Sequence, residues 1–327
     1  MSNENATSLA IDVGGTKVEL AQIDTAGKIV GESHKFLVPF DSHGVAEVDR
    51  MIELILPFTQ PATSTASKPL GICVGIGGIA NDATGEVVIG PNLGWRNLPL
   101  GPIMKKAYNL PVHVSADGKL AAVAEHVWGA ARKTSHFAWI TIGTGYGGYF
   151  YLDGQLHGGS HGFAGNFGHA TLDERNGALC GCGKRGCFET YVAGPAIARQ
   201  GQAAADSGRS PAIVLLAAGK PITPRNVIVA SEAGDPAARE IIDRVIRLVC
   251  ISLSGINNLL DLEMFVLGGG IVHAIPNFVS QIQDNIRKYL MTEEAKKNLM
   301  IVEESFSNAA LYGAAANFFI VEKIIDS

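Results

Sequence analysis

Long apolar runs, basic blocks and an abundance of cysteine are all missing from this chain, and each absence removes a class of protein. No stretch of about 18 uninterrupted apolar residues occurs, which leaves no candidate for a membrane-crossing helix. Met1 to Ser8 is polar and lacks the positive start and apolar run of an export signal. Lys and Arg number 26 against 31 Asp and Glu, giving a net charge of −5 with no basic cluster, so bulk electrostatics offers nothing to a nucleic acid. Charged residues make up only 17% and apolar residues 47%, the balance of a chain that buries a core. Its 327 residues suffice for two domains. Five cysteines are too few for the length, and too clustered, to form a disulfide framework. Reduced thiols without an export signal or a membrane span lead to the expectation of a cytoplasmic protein with neither nucleic-acid nor membrane partners.

What cysteine there is stands in one place. Cys180, Cys182 and Cys187 fall within eight residues, His169 lies one short loop upstream, and Glu189 follows the last of them. Three thiolates and an imidazole are the donors of a closed tetrahedral zinc site. Gly181, Gly183 and Gly186 allow the bends that aim several sulfurs at one point. Idle thiols or a disulfide are the alternatives.

Glycine is plentiful, and it gathers after apolar runs. Leu9 to Val13 reads as a strand, Gly14-Gly15-Thr16 as a tight turn, and the chain then returns as a second strand. Such a turn uncovers backbone N–H groups suited to phosphate oxygens, and Asp12 beside it is placed to hold water around Mg2+. An ordinary glycine hairpin is the competing reading. The design recurs at Phe137–Ile142 with Gly143-Thr144-Gly145-Tyr146-Gly147-Gly148, which suggests two related domains. A third strand, Met264–Leu267, runs into Gly268-Gly269-Gly270 before a helix, where a flat base can lie against backbone. Three such turns point to a nucleotide site. Further strands are expected at 17–23, 28–37, 70–76 and 110–114, and helices near 45–58, 119–128, 235–260 and 309–325. Residues 59–68 read as a polar surface connection.

Together, Asp12-x-Gly14-Gly15-Thr16-Lys17, the Gly143–Gly148 loop, Ala164-Gly165-x-x-Gly168-His169, the cysteine group with Glu189, and Leu267-Gly268-Gly269-Gly270 resemble the ROK family (repressor, open reading frame, kinase). The likeness runs from about residue 8 to the end, with the motifs in family order. It implies an α/β, two-domain, actin-like fold of the hexokinase type with an interdomain cleft, ATP with Mg2+, phosphorylation of a sugar hydroxyl, structural zinc and a homodimer. The expected division is 1–116 with 306–327 as a small domain, and 117–305 as a larger one carrying the zinc loop.

Phosphoryl transfer to a hydroxyl uses a group that orients and deprotonates the nucleophile. Asp117 follows the 110–114 strand and precedes a helix, where open α/β sheets bind ligands. A plain helix cap is the local alternative, and the resemblance places the catalytic aspartate here. It further implies sugar contacts from Gly78, Asn92, Asn166, His169 and Glu189, and nucleotide contacts from Asp12, Gly14, Gly15, Thr16, Lys17, Gly143, Thr144, Gly145, Gly268, Gly269 and Gly270. Two departures stand out. The usual Asn-Asp-x-Asn is Ala116-Asp117-Gly118-Lys119, and the usual Glu of the Ala-Gly-Glu-x-Gly-His stretch is Asn166. Each hydrogen bond lost to a polar substrate group costs roughly 1–3 kcal/mol, so glucose is not the default substrate. An amino sugar, an epimer, a deoxy sugar or a cyclitol fits better, with the 6-hydroxyl as acceptor by resemblance. A sugar-sensing regulator is the other class in view. Its DNA-binding module would have to precede the first strand, where only about eight residues stand, too few for a helix-turn-helix.

Overall fold

A computed structural model describes residues 6–62 and 68–326. Residues 63–67 of the expected polar connection lie outside the described residues, as do 1–5. The chain forms two compact units, one of Met1–Lys133 with Ser305–Ser327 and the other of Thr134–Glu304. The division expected after Ala116 falls later, after Lys133. The helix Asp117–Val127 packs against the terminal helix Ala309–Val321 and stays with the first unit. Asp117 therefore belongs to that unit.

In the first unit, β1 (Thr7–Val13) is the middle of a five-stranded sheet ordered β3-β2-β1-β4-β8. It pairs antiparallel with β2 (Lys17–Asp24), which pairs antiparallel with β3 (Ile29–Leu37). On the other side, β4 (Ile72–Ile76) runs parallel to β1, and β8 (Val112–Ala116) parallel to β4. Between these come the strands of a small antiparallel sheet, β5 (Ile79–Asn81), β6 (Glu86–Gly90) and β7 (Trp95–Leu98), which the sequence reading left unassigned. Side-chain alternation along β1 explains how the sheet is covered. Leu9, Ile11 and Val13 enter a core with Met51, Ile55, Leu100 and Met104. Ala10 faces the opposite way and joins Ala21, Cys73, Leu120, Ala314, Ala315 and Phe318, so the small side accommodates the terminal helix.

The second unit repeats the plan. Its sheet is ordered β11-β10-β9-β12-β13, from β9 (Phe137–Ile142), β10 (Tyr146–Leu152), β11 (Gln155–His157), β12 (Met264–Gly268) and β13 (Met300–Glu303). The strand senses match those of the first sheet one for one. Ile140, Ile142, Phe265 and Leu267 share one core with the long helix Pro236–Leu260 and with Phe278, Ile282 and Ile286. Two sheets of identical order and sense, each with antiparallel strands at one side and crossover strands at the other, make this the actin-like fold. Among the described residues no helix is long and apolar enough to cross a membrane.

One contact sets the spacing of the helix that begins with Asp117. A Cβ at Gly313 would lie 1.7 Å from the Leu120 carbonyl oxygen, so the terminal helix touches that backbone directly. Gly255, in the long helix of the second unit, has open space where its Cβ would be. Gly313→Ala is expected to lower the urea midpoint by the equivalent of about 1–3 kcal/mol through overpacking. Gly255→Ala is expected to raise it by about 0.5–1 kcal/mol through helix propensity. Paired denaturant titrations read both, and equal shifts of the same sign would contradict the close approach.

Candidate active site

The first unit collects carboxylates at the C-terminal ends of its parallel strands, where α/β sheets present ligand-binding groups. Asp12 pairs with Gly75 of β4, and Asp117 begins the helix directly after β8. The β4 strand and the residues after it offer no side chain at either point. A Cβ at Gly75 would be 3.7 Å from Asp12 Oδ1, and one at Gly77 would be 3.6 Å from Asp117 Oδ2. Burial pushes the Asp12 carboxyl up to about 6, with the neighbouring charges of Asp117 and Glu19 adding to the effect and a hydrogen bond from Asn308 opposing it. Burial also raises Asp117, against the Gly118 N–H, which donates to Oδ1 at 2.7 Å. The N-cap position of that helix is Ala116, so Asp117 is its first residue rather than its cap.

Asn308 and Glu19 escaped the sequence reading. The Asn308 side-chain oxygen caps the terminal helix by accepting the Leu311 N–H at 3.2 Å, while its amide donates to Asp12 Oδ2 at 3.1 Å and to Glu19 Oε2 at 3.0 Å. Lys35 completes the arrangement, 3.0 Å from Glu19. A cap residue before an apolar helix was readable; its contact with a carboxylate almost the full chain length away was not.

The first glycine turn closes through the Gly14 N–H and the Lys17 carbonyl (2.9 Å), leaving Thr16 and Lys17 exposed. Asn92 packs onto Gly15, where a Cβ would come within 2.8 Å of the Asn92 Cβ. Gly78 is pressed against the Ile89 carbonyl, 2.2 Å from where its Cβ would be. Trp95 is a buried anchor whose Nε1–H donates to the Ala46 carbonyl at 2.8 Å. Lys119 is engaged in an ion pair with Asp82.

In the second unit, Gly143, Thr144, Gly194, Pro195, Pro224, Gly270 and Ile271 line an open cavity of about 480 Å³. Two of the three glycine turns thus meet at one recess. The Gly194 N–H donates to the Gly143 carbonyl at 2.7 Å, and the Gly143 N–H to the Gly145 carbonyl at 3.0 Å. The prolines open the helices Gly194–Asp206 and Pro224–Glu232, and with Ile271 they give the recess apolar walls that no local motif announced. Gly268 and Gly269 stand behind Gly270, against the Glu304 carboxylate. A larger surface recess of about 580 Å³ runs along Gly234–Arg247 and contains none of the glycine turns.

The same unit holds the sulfur cluster. A ring nitrogen of His169 and the sulfurs of Cys180, Cys182 and Cys187 all lie within 4.8 Å of one another. The Cys180 sulfur is 3.5 Å from His169 Nδ1, and those of Cys182 and Cys187 are 3.6 Å apart. A disulfide needs about 2.05 Å, whereas ligand edges around tetrahedral zinc are about 3.8 Å for bonds of 2.3 Å. The donor set fits zinc. Burial pushes the Cys180 thiol up to about 12 and raises Cys187, while the Lys184 N–H lowers Cys182. A divalent cation among the sulfurs reverses the penalty of burial. Glu189 joins this corner to the second glycine turn. Its Oε2 accepts the Tyr146 N–H at 3.1 Å, and its Oε1 lies 3.6 Å from the Cys180 sulfur and 3.9 Å from His169 Nδ1. Asn166 is exposed, and its amide donates to the Phe163 carbonyl at 2.9 Å.

Comparison with known proteins follows the same lines. Over 268 residues the chain is 30% identical to an N-acetylmannosamine kinase of Yersinia pestis, covering 82% of this chain and 84% of that protein. A crystal structure of a ROK family glucokinase from Streptomyces griseus, in complex with glucose and AMPPNP, superposes with a TM-score of 0.76 at 28% identity, over 95% of this chain and 98% of that one. A ROK family transcriptional regulator, a homologue of the E. coli MLC protein, superposes with a TM-score of 0.83 at 26% identity, over 100% of this chain and 83% of that one. The ROK family model matches residues 8–319, and the chain belongs to the ROK family.

Proposed function

We propose that this chain, an ATP-dependent sugar kinase, transfers the γ-phosphoryl group of ATP to the 6-hydroxyl of a hexose or amino sugar, with Asp117 as general base. The observation that carries the reading is the desolvated Asp117 carboxylate beside Asp12 at the strand ends. A carboxylate raised by burial takes a hydroxyl proton more readily than an ordinary one. Asp12 would hold the hydration shell of Mg2+, and Mg2+ when bound offsets charge on the triphosphate and the attacking oxygen. Gly14, Gly15, Thr16 and Lys17 would serve the phosphates. The cavity of Gly143, Thr144 and Gly270 would take the base, while Gly145, Gly268 and Gly269 hold its rim. Glu189, His169, Asn92, Gly78 and Asn166 would bind the sugar. His169, Cys180, Cys182 and Cys187 would hold zinc, which when bound fixes the imidazole and the loop around it. Ala116 and the neutral Asn166 favour an amino sugar or another altered hexose over glucose, consistent with the likeness to an N-acetylmannosamine kinase.

The likeness to a transcriptional regulator favours one second reading, a sugar sensor without phosphoryl transfer. ADP release across a panel of hexoses and amino sugars separates the two. Turnover with at least one sugar is expected; sugar binding with no turnover on any of them would establish the sensor. Asp117→Asn is expected to keep sugar affinity and to lower kcat roughly a hundred- to ten-thousandfold, and undiminished turnover would remove Asp117 as the base.

Asp12 carries a second test. A carboxyl raised in the folded state holds its proton more tightly there than in the unfolded chain. The resulting destabilisation is absent below about pH 4, grows as pH rises towards about 6, and is constant above. Asp12→Asn is therefore expected to raise the metal-free melting temperature at pH 8 and to leave it nearly unchanged at pH 4. A gain of equal size at both pH values would contradict the strain assigned to Asp12.

Metal analysis by plasma mass spectrometry after purification without chelators is expected to give one zinc per chain. Cys187→Ser, which removes a buried ligand, is expected to lose that zinc and the sugar affinity with it. A metal-free wild-type protein of full activity would refute the zinc reading.

A further inference from the structure

Glu304 stands just past β13. Its backbone N–H donates to the Leu267 carbonyl at 2.9 Å, which delivers the side chain to the turn that ends β12. That side chain is only 9% exposed. Its Oε1 accepts the Gly269 N–H at 3.2 Å and its Oε2 accepts the Trp139 Nε1–H at 3.2 Å, while His273 Nε2 lies 3.2 Å from Oε1. The carboxylate lies across Gly268, where a Cβ would come within 2.1 Å of Oε2. A nearly buried carboxylate must be met by donors, or its desolvation is not offset. Here two of those donors are fixed in the fold, one on the backbone of the turn and one on the indole of β9.

The turn so held is the one that presents Gly270 to the cavity shared with Gly143 and Thr144. Gly269 has φ of +96°, and a Cβ there would be 2.7 Å from the Ile142 carbonyl oxygen, so the peptide plane is confined on that side as well. Between the β9 backbone and the Glu304 carboxylate the turn has one orientation. We propose that Glu304, braced by Trp139, is a positioning residue for the nucleotide: it holds the Gly268–Gly270 backbone against the base without touching the nucleotide itself. The inference rests on reading that cavity as the nucleotide site.

Glu304→Gln keeps the shape and tests the role. If the amide oxygen continues to accept from Gly269, its NH2 group meets the Trp139 N–H donor to donor. Removing the indole donor relieves that conflict, so Trp139→Phe added to Glu304→Gln should rescue the turn. Steady-state kinetics, with AMPPNP titrations by calorimetry, are measured on the full chain of wild type, E304Q and E304Q/W139F. E304Q is expected to raise the KM for ATP and weaken AMPPNP binding about tenfold, with the sugar KM changed less than about twofold, and E304Q/W139F to recover most of the loss. Unchanged AMPPNP affinity in E304Q would overturn the role of Glu304. So would parallel losses for sugar and nucleotide, the mark of a general structural defect, or a double variant no better than the single one. A wild-type protein that takes up no AMPPNP would instead overturn the reading of the cavity, and the role of Glu304 with it.

Discussion

Burial of two neighbouring carboxyls, Asp12 and Asp117, is the constraint around which this part of the first unit is arranged. Burial raises the Asp12 and Asp117 carboxyls, and the neighbouring charges of Asp117 and Glu19 add to the effect on Asp12. Left to themselves such groups would move apart or take up protons. They are held by elements from distant parts of the chain. The two amide N–H groups of Asn308 bind Asp12 and Glu19, and Lys35 binds Glu19 from the neighbouring strand. Asn308 can do so because the terminal helix lies against the small-residue side of the sheet, at a distance set by the contact of Gly313 with the Leu120 backbone. The same contact seats the helix that begins with Asp117. Packing, capping and the acidity of the site are thus one linked arrangement. Under the proposed function, a base of raised pKa is obtained by accepting a local cost that a more stable chain would avoid.

The two sheets share an order and a set of strand directions, yet their strand ends carry different chemistry. In the first, β1 and β8 deliver carboxylates. In the second, β9, the counterpart of β1, leads to the Gly143 turn, β12, the counterpart of β4, leads to Gly268–Gly270, and β13, the counterpart of β8, leads to Glu304. The Glu304 carboxylate is nearly buried and accepts from the Trp139 indole and the Gly269 N–H. Under the proposed function, Asp117 of the first unit would accept the hydroxyl proton and the Gly143 and Gly270 backbone of the second would face the flat base. Sheet order is common to both units; the residues at the strand ends differ.

Much of this was legible in the sequence, and the division between legible and illegible is physical. Strands with strong alternation or continuous burial, such as Phe137–Ile142 and Met264–Gly268, declared themselves because both faces meet apolar neighbours. The cysteine corner was equally plain, since its chemistry needs particular residue types at short spacing. The edge strands were not. Gln155–His157 and Met300–Glu303 are three and four residues long, partly exposed, and exist only because a neighbouring strand supplies hydrogen bonds. The extent of the first unit followed from helix packing rather than local composition, which is why Asp117 fell on the unexpected side of the boundary. Asn308 could be read as a cap, but its bonds to Asp12 and Glu19 span most of the chain. Nothing in the local sequence marks Glu304; its burial comes from tertiary neighbours, with Trp139 and Gly269 as its donors.

The departures from family pattern bear on substrate through what each side chain has left to offer. Lys119 is paired with Asp82, so its charge is already answered and a substrate anion would have to displace an existing partner. Asn166 donates to the Phe163 carbonyl. Towards a ligand its amide oxygen is a neutral acceptor where the family has a carboxylate, and charge-assisted hydrogen bonds are about twice as strong as neutral ones. Ala116 offers no polar group at all. Under the proposed function, a ring hydroxyl that relies on these two positions is held weakly, while groups served by Glu189, His169 and Asn92 retain full partners. Discrimination then shifts from counting hydroxyls to accommodating what replaces one of them. A substituent with an apolar part loses little where a hydroxyl would have lost a bond, because a site without polar groups leaves none of its own unpaired. On that proposed reading, it is this asymmetry, rather than any added contact, that would favour an N-substituted or deoxygenated sugar over an unmodified hexose.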